Sequence, residues 1–201
     1  MNKSARRAAL LIAALALPIA ALTACNPMEP GAAALVGGTR ITEAELADQV
    51  GAILKAQGRP ADASDADLTV TTLSRLVTVE LVEQASAEAG ISITQGQIDT
   101  ALAGYVAQAG GQAEVEQIFV DQGIAPSQIE SSVVLNLRAQ ALGRVLLPNA
   151  DPQAQGAELV RTLGQFSIDQ GTTVSPRYGA WNPVALQVGP VEDPLAVPPA
   201  Q

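Results

Sequence analysis

The sequence predicts a mainly α-helical domain of about five to six helices, with a small β pairing between an N-terminal strand and a C-terminal segment. Three observations lead there. Apolar residues recur at i, i+3, i+4 and i+7 in several windows, the signature of helices that bury one face. Those windows open on Ser, Thr, Asp or Pro and close on Gly or Pro. Only five of the 201 residues are aromatic and one is cysteine, so the core has to be built from Leu, Val, Ile and Ala without a disulfide.

Ala34-Leu35-Val36 is a short apolar strand candidate, Gly37-Gly38 a turn, and Thr39-Arg40-Ile41 leads into the first helix. Thr42 and Glu45 have capping-box spacing, in which each side chain satisfies an orphan amide at a helix start. Leu46, Val50, Ile53 and Leu54 follow on one stripe, and Gly58 with Pro60 ends it. Ser64 with Asp67 opens a second helix running to about Ala89, before the C-terminal glycine Gly90. Leu68, Leu73, Leu76, Val77, Leu81 and Val82 cover most of its circumference, which predicts a central, largely buried element. Its Thr and Val content also suits a strand; length and flanking caps decide for helix.

Gly90 to Thr94 reads as an extended connector, and Thr94 with Gln97 repeats the capping-box pair. A third helix carries Ile98, Leu102, Tyr105, Val106 and Ala109 as far as Gly110-Gly111. A short fourth helix holds Val115, Ile118 and Phe119 before Gly123. Pro126 suits the first position of a longer helix, because it lacks the amide hydrogen that is orphaned there. Ile129, Val133, Leu137, Ala141 and Val145 form its apolar face, and Pro148 stops it. Asp151-Pro152 starts a last helix marked by Leu159, Leu163 and Phe166 and ending near Gln170. Beyond Gly171 the texture changes. Thr172 to Ser175 is β-prone, and Pro176 to Trp181 gathers a proline, a cation and two of the five aromatics. Residues 190–201 are proline-rich and are expected to be disordered.

At the other end, Lys3, Arg6 and Arg7 precede a Leu/Ala-rich run from Ala8 to Leu22. That is the layout of a secretory signal segment rather than a membrane span. It closes on Leu22-Thr23-Ala24-Cys25, which holds the only cysteine. Small residues before a lone cysteine resemble the bacterial lipobox. The resemblance implies removal of residues 1–24, a diacylglycerol thioether on Cys25, and residues 25–33 as a lipidated tether. Two or three acyl chains on one residue hold a protein firmly, where one chain binds only reversibly. The expected location is therefore extracytoplasmic, lipid-anchored to a bacterial membrane, with the cell membrane favoured. The alternative is an ordinary signal peptide with an incidental cysteine.

Residues 1–24 hold three of the eleven basic residues and none of the twenty acidic ones. The remainder carries eight basic against twenty acidic residues, a net charge of −12. Such a surface disfavours nucleic acid, whose binding needs Lys and Arg on the phosphates. Histidine is absent, which excludes imidazole triads and His-based zinc sites within these 201 residues. Asp62, Asp65 and Asp67 have the alternate spacing of a calcium loop, yet the required glycine and terminal bidentate Glu are missing. Asp65 and Asp67 suit a helix start, where the macrodipole favours anions. No metal and no cofactor is expected.

The order of these elements resembles a known family. A short strand with a Gly-bearing turn is followed by Ile41-Thr42-Glu43-Ala44-Glu45-Leu46, a long helix, Ala89-Gly90-Ile91-Ser92-Ile93-Thr94 and Gln97-Ile98-Asp99. With the Gly123-Ile124-Ala125-Pro126 step into a long helix, this is similar to the N-terminal chaperone domain of SurA/PrsA-type foldases, lipoprotein members included. The likeness covers about residues 34–170, and Ser-Pro-Arg-Tyr-Gly-X-Trp at 175–181 resembles a C-terminal signature of SurA-N-like lipoproteins. Foldases of this family usually insert a parvulin prolyl-isomerase domain between the long helix and the last helix. Here Leu147-Pro148 passes straight to Asp151-Pro152, and histidine is lacking. The resemblance therefore implies the chaperone portion alone, over residues 34–189, and no enzyme.

The expected function is a non-catalytic, lipid-anchored chaperone-like protein that binds unfolded or exported polypeptides in an apolar cleft between helices. Candidate peptide-binding residues are Tyr105, Phe119, Tyr178 and Trp181, with Arg177 near the mouth; aromatics give large contact area at low entropic cost. Tyr105 and Phe119 also suit plain core filling. Tyr178 and Trp181 also suit a fold-back of the terminal segment onto Ala34–Val36, with Trp181 capping the helical core. A structural or partner-binding lipoprotein subunit of a surface assembly is the alternative function, and a prolyl isomerase the less favoured one.

Overall fold

The structure, a computed structural model, describes residues 29–191. The expected signal segment, Cys25, the first part of the tether and the tail beyond Val191 lie outside the described residues. Within them the protein is mainly helical, with six α-helices and a few small antiparallel strand pairs.

Strand β1 (Ala32–Val36) is buried along its whole length and sits in the middle of a three-stranded sheet. It takes in Ala32 and Ala33, two residues that the sequence reading leaves in the tether. Their methyl groups are small enough to disappear under the packed sheet. Strand β2 (Thr39–Thr42) pairs on one side, with Val36 opposite Thr39 across Gly37-Gly38. Gly37 at φ 58° supplies the left-handed backbone that a two-residue hairpin turn needs. On the other side β3 (Thr173–Val174) lies antiparallel, with Ala34 opposite Val174 and Leu35 opposite Thr173. The C-terminal segment thus folds back onto the N-terminal strand.

Helix α1 (Glu43–Ala56) starts where Thr42 Oγ1 accepts the Glu45 amide at 3.0 Å. Helix α2 (Ala66–Glu88) is capped by Asp65, not by Ser64. Asp65 is preferred because its two oxygens do two jobs. One accepts the Leu68 amide at 3.0 Å, and the other takes Arg59 Nη1 at 2.7 Å. The Leu68 amide and then Arg59 hold this carboxyl below the usual carboxylate range. Helix α3 (Gln95–Ala109) has the full reciprocal capping box between Thr94 and Gln97. After α4 (Gln112–Asp121), Pro126 opens a single 3-10 turn over Pro126–Gln128, and α5 (Ile129–Leu146) begins behind it. Helix α6 (Pro152–Asp169) is capped by Asp151, whose carboxylate accepts the Gln153 and Ala154 amides, each at 3.0 Å.

Two cores result. The larger gathers β1, Ile41, Leu46 and Leu54 around Leu73, Val77, Leu81 and Val82 of α2, with Leu142, Leu159 and Leu163 closing it. The smaller joins Ile98 of α3, Val115 and Phe119 of α4, and Ile129 and Val133 of α5. Helix α5 serves both. Its N-terminal half packs into the small core, and its C-terminal half turns Leu142 and Leu146 into the large one. That change of face leaves Val145 exposed, against the single continuous stripe expected through Ile129, Val133, Leu137, Ala141 and Val145. Every residue of both cores lies between Ala33 and Val188, so a chain lacking residues 1–25 keeps them all.

A second hairpin, β4 (Ala180–Asn182) with β5 (Gln187–Gly189), crosses the seam between α2 and α6. Ser74 Oγ accepts the Val188 amide at 2.8 Å, and the Trp181 indole N–H donates to Ser167 Oγ at 3.0 Å.

Candidate functional site

The five candidate residues fall into two groups. Tyr105 of α3 and Phe119 of α4 meet edge to face, with ring centroids 6.0 Å apart and planes at 83°. They belong to the small core, Phe119 being buried, beneath a shallow cleft of about 170 Å³ that also involves Ile118. Arg177, Tyr178 and Trp181 lie on the large core instead. Arg177 Nη1 is 2.7 Å from Glu43 Oε1, and its guanidinium stands 5.7 Å from the Tyr178 ring centre. The hydrogen bond to Glu43 raises the Arg177 pKa further. This cluster ties the C-terminal segment to the start of α1. Tyr178 and Trp181 pack partly buried against the large core, and the Trp181 indole bond fastens the hairpin to α6. The structure does not gather the five around one opening.

A separate opening lies between α2 and α5, where Leu135 packs against the large core and Val134 against the small one. Val79, Val134 and Leu135 make its apolar floor, and Ser127 and Ser131 stand on one wall. Glu83, Glu130 and Arg138 form the rim, and the groove encloses about 430 Å³. Volumes of this order accept small ligands or a few side chains of a bound peptide. Helical spacing builds it. Val79 and Glu83 are one turn apart on α2, while Glu130, Val134 and Arg138 succeed one another by single turns on α5.

Two polar links join the α2 and α5 sides. Arg138 Nη1 lies 3.4 Å from Glu83 Oε2, a contact across the groove. One turn before Val79, Arg75 donates to Gln128 Oε1 at 2.6 Å, and Gln128 is itself buried. Burial lowers the Arg75 pKa. The arrangement sets an apolar floor beside hydroxyl and carboxylate oxygens.

No family model matches the chain, and no curated protein or solved structure is significantly similar to it.

Among the described residues, no group of three or more His, Cys, Asp or Glu side chains could hold a metal ion. Asp65, of the calcium-like triplet, is engaged as the α2 cap. No described helix is long and apolar enough to cross a membrane.

The groove residues were not among the sequence candidates. Their signal is present but quiet: Val79 and Val134 stand off the main core stripes, each one turn from a charged residue on its own helix. An apolar residue beside charges reads as an ordinary helix flank until the partner helix is placed.

Proposed function

We propose that this chain is a lipid-anchored, extracytoplasmic chaperone-like protein that holds unfolded or exported polypeptides without catalysing a reaction. The observation that supports it best is the α2–α5 groove, an apolar floor open to solvent with a rim of mixed charge. Such a surface excludes water from extended apolar segments while reading little of their sequence. Anchoring rests on the lipobox-like Leu22-Thr23-Ala24-Cys25 sequence, which the structure leaves aside. The net charge of −12 beyond residue 24 keeps the body off nucleic acid and off anionic headgroups.

The test uses a chain starting at Asn26, mixed at increasing ratio with several unrelated, chemically unfolded proteins while light scattering is followed. Suppression of aggregation for most of them is expected. Val134→Lys, verified as folded by circular dichroism, weakens it by placing a charge on the groove floor. Indifference to every substrate would replace this reading with that of a lipoprotein subunit serving a single partner. Mass spectrometry of the membrane-extracted protein checks the anchor, a diacylglycerol adduct on Cys25 being the expected result.

A further inference from the structure

The two ends of the α2–α5 groove differ in charge, and the difference bears on which segments it holds. Helices α2 and α5 run in the same direction here, since Arg75 meets Gln128 and, further along both, Glu83 meets Arg138. The groove between them therefore follows the helix axes. Arg138 stands toward one end, and Glu130, about two turns earlier on α5, toward the other.

At the Arg138 end the charge is balanced, because Glu83 already faces the guanidinium. At the other end it is not. Glu130 is exposed, borders the groove, and enters none of the ion pairs among the described residues. Ser131 beside it donates its one hydroxyl proton to the Gln128 carbonyl at 2.9 Å, so its oxygen is left to the groove as an acceptor. Arg75, the cation one turn before Val79, is turned to Gln128 Oε1 and does not line the groove. The Glu130 end thus presents acceptors and no cation. It suits an ammonium or guanidinium and repels a carboxylate.

We propose that the groove prefers polypeptide segments that carry an apolar side chain and, two residues away, a lysine or arginine. Spacing supports the pairing. Val134 and Glu130 are one turn apart on α5, a rise of about 6 Å. Alternate residues of an extended chain point to the same face roughly 6.6 Å apart. An apolar side chain seated on Val79, Val134 and Leu135 therefore brings the next side chain on its own face to the Glu130 carboxylate. Either chain direction satisfies the spacing. An exposed ion pair of this kind changes affinity by up to about fivefold, a bias laid over a surface that otherwise reads little sequence. The inference rests on the chaperone reading and adds to it the class of segment held.

The test uses two fluorescently labelled synthetic peptides, alike except for lysine or glutamate two residues from a central leucine. Their binding to the chain starting at Asn26 is followed by anisotropy at physiological salt, where charges beyond about 8 Å are largely screened. The same titrations are run on Glu130→Gln and on Asp48→Asn, which removes an exposed carboxylate of α1 outside the groove lining. The lysine peptide is expected to bind about two- to fivefold tighter than the glutamate peptide. Glu130→Gln is expected to remove that preference and Asp48→Asn to keep it. Equal affinity for the two peptides, or a preference that survives Glu130→Gln, would overturn the inference and leave the chaperone reading standing. A preference lost equally in Asp48→Asn would also overturn it, since overall charge would then be the cause. Binding of neither peptide would remove the chaperone reading as well.

Discussion

Gly164 provides a test in which packing and helix propensity pull in opposite directions. A methyl group at this buried position in α6 would lie well inside 3.0 Å of the Pro183 carbonyl oxygen. Backbone is not free to swing away as a flexible side chain would, so Gly164→Ala forces the β4–β5 hairpin off the helix. Gly156, two turns earlier in the same helix, has nothing within 4 Å of the corresponding point. Replacing glycine by alanine inside a helix gains up to about 1 kcal/mol from backbone entropy. At Gly156 that gain stands alone, and Gly156→Ala is expected to stabilise. At Gly164 overpacking costs about 1–3 kcal/mol. Loss of the Trp181–Ser167 hydrogen bond adds roughly 0.5–1.5 kcal/mol. The net effect at Gly164 is a destabilisation of about 0.5–3.5 kcal/mol after the propensity gain is subtracted. Urea unfolding of both variants, followed by Trp181 fluorescence and by far-ultraviolet circular dichroism, measures the difference. Equal stability of the two alanine variants would refute the close docking of the hairpin on α6.

Two further outcomes follow from the cores and caps. Phe119→Ala should cost the small core about 3–5 kcal/mol. Hydrogen exchange should then show amides of α3 and α4 losing protection while β1 and α2 keep theirs, and a uniform loss would contradict the division into two cores. Asp65 has its pKa lowered in the folded state, so it contributes stability above its unfolded value of about 3.9 and loses that contribution as pH falls through the folded value. The stability gap between the native chain and Asp65→Ala should therefore shrink below about pH 4, as read from thermal unfolding at a series of pH values; a gap independent of pH would remove the charge from the account of this cap.

The helices were legible because their signals are local. Thr94 with Gln97, Asp151 with Pro152, and the glycines after α2 and α3 each act within a few residues of where they stand. The return of Thr173–Val174 onto β1 was legible too, since a β-prone stretch after the last helix needs an apolar edge and Ala34–Val36 offers one. What escaped depends on partners distant in sequence. Val145 falls on a periodic stripe, yet α5 changes face between the cores, and only the placement of α3 and α4 reveals that. Choosing Asp65 over Ser64 as the α2 cap depends on Arg59, six residues earlier, arriving at the carboxylate. The β4–β5 hairpin has no glycine at its turn, where Leu186 adopts φ 50°; its signal was the overlooked Asn182-Pro183 dipeptide, Asn182 Oδ1 accepting the Val184 and Ala185 amides. The α2–α5 groove arises between helices about fifty residues apart, from side chains unremarkable on either helix alone.

The most direct test of the central claim is a titration of the methyl-labelled chain from Asn26 with a permanently unfolded polypeptide, such as a reduced and carboxymethylated protein. Binding in the α2–α5 groove predicts that the Val79, Val134 and Leu135 methyl signals shift first and saturably, with Leu73 and Val77 in the large core unmoved. Saturable binding that leaves those three signals in place, or no binding at all, would contradict it.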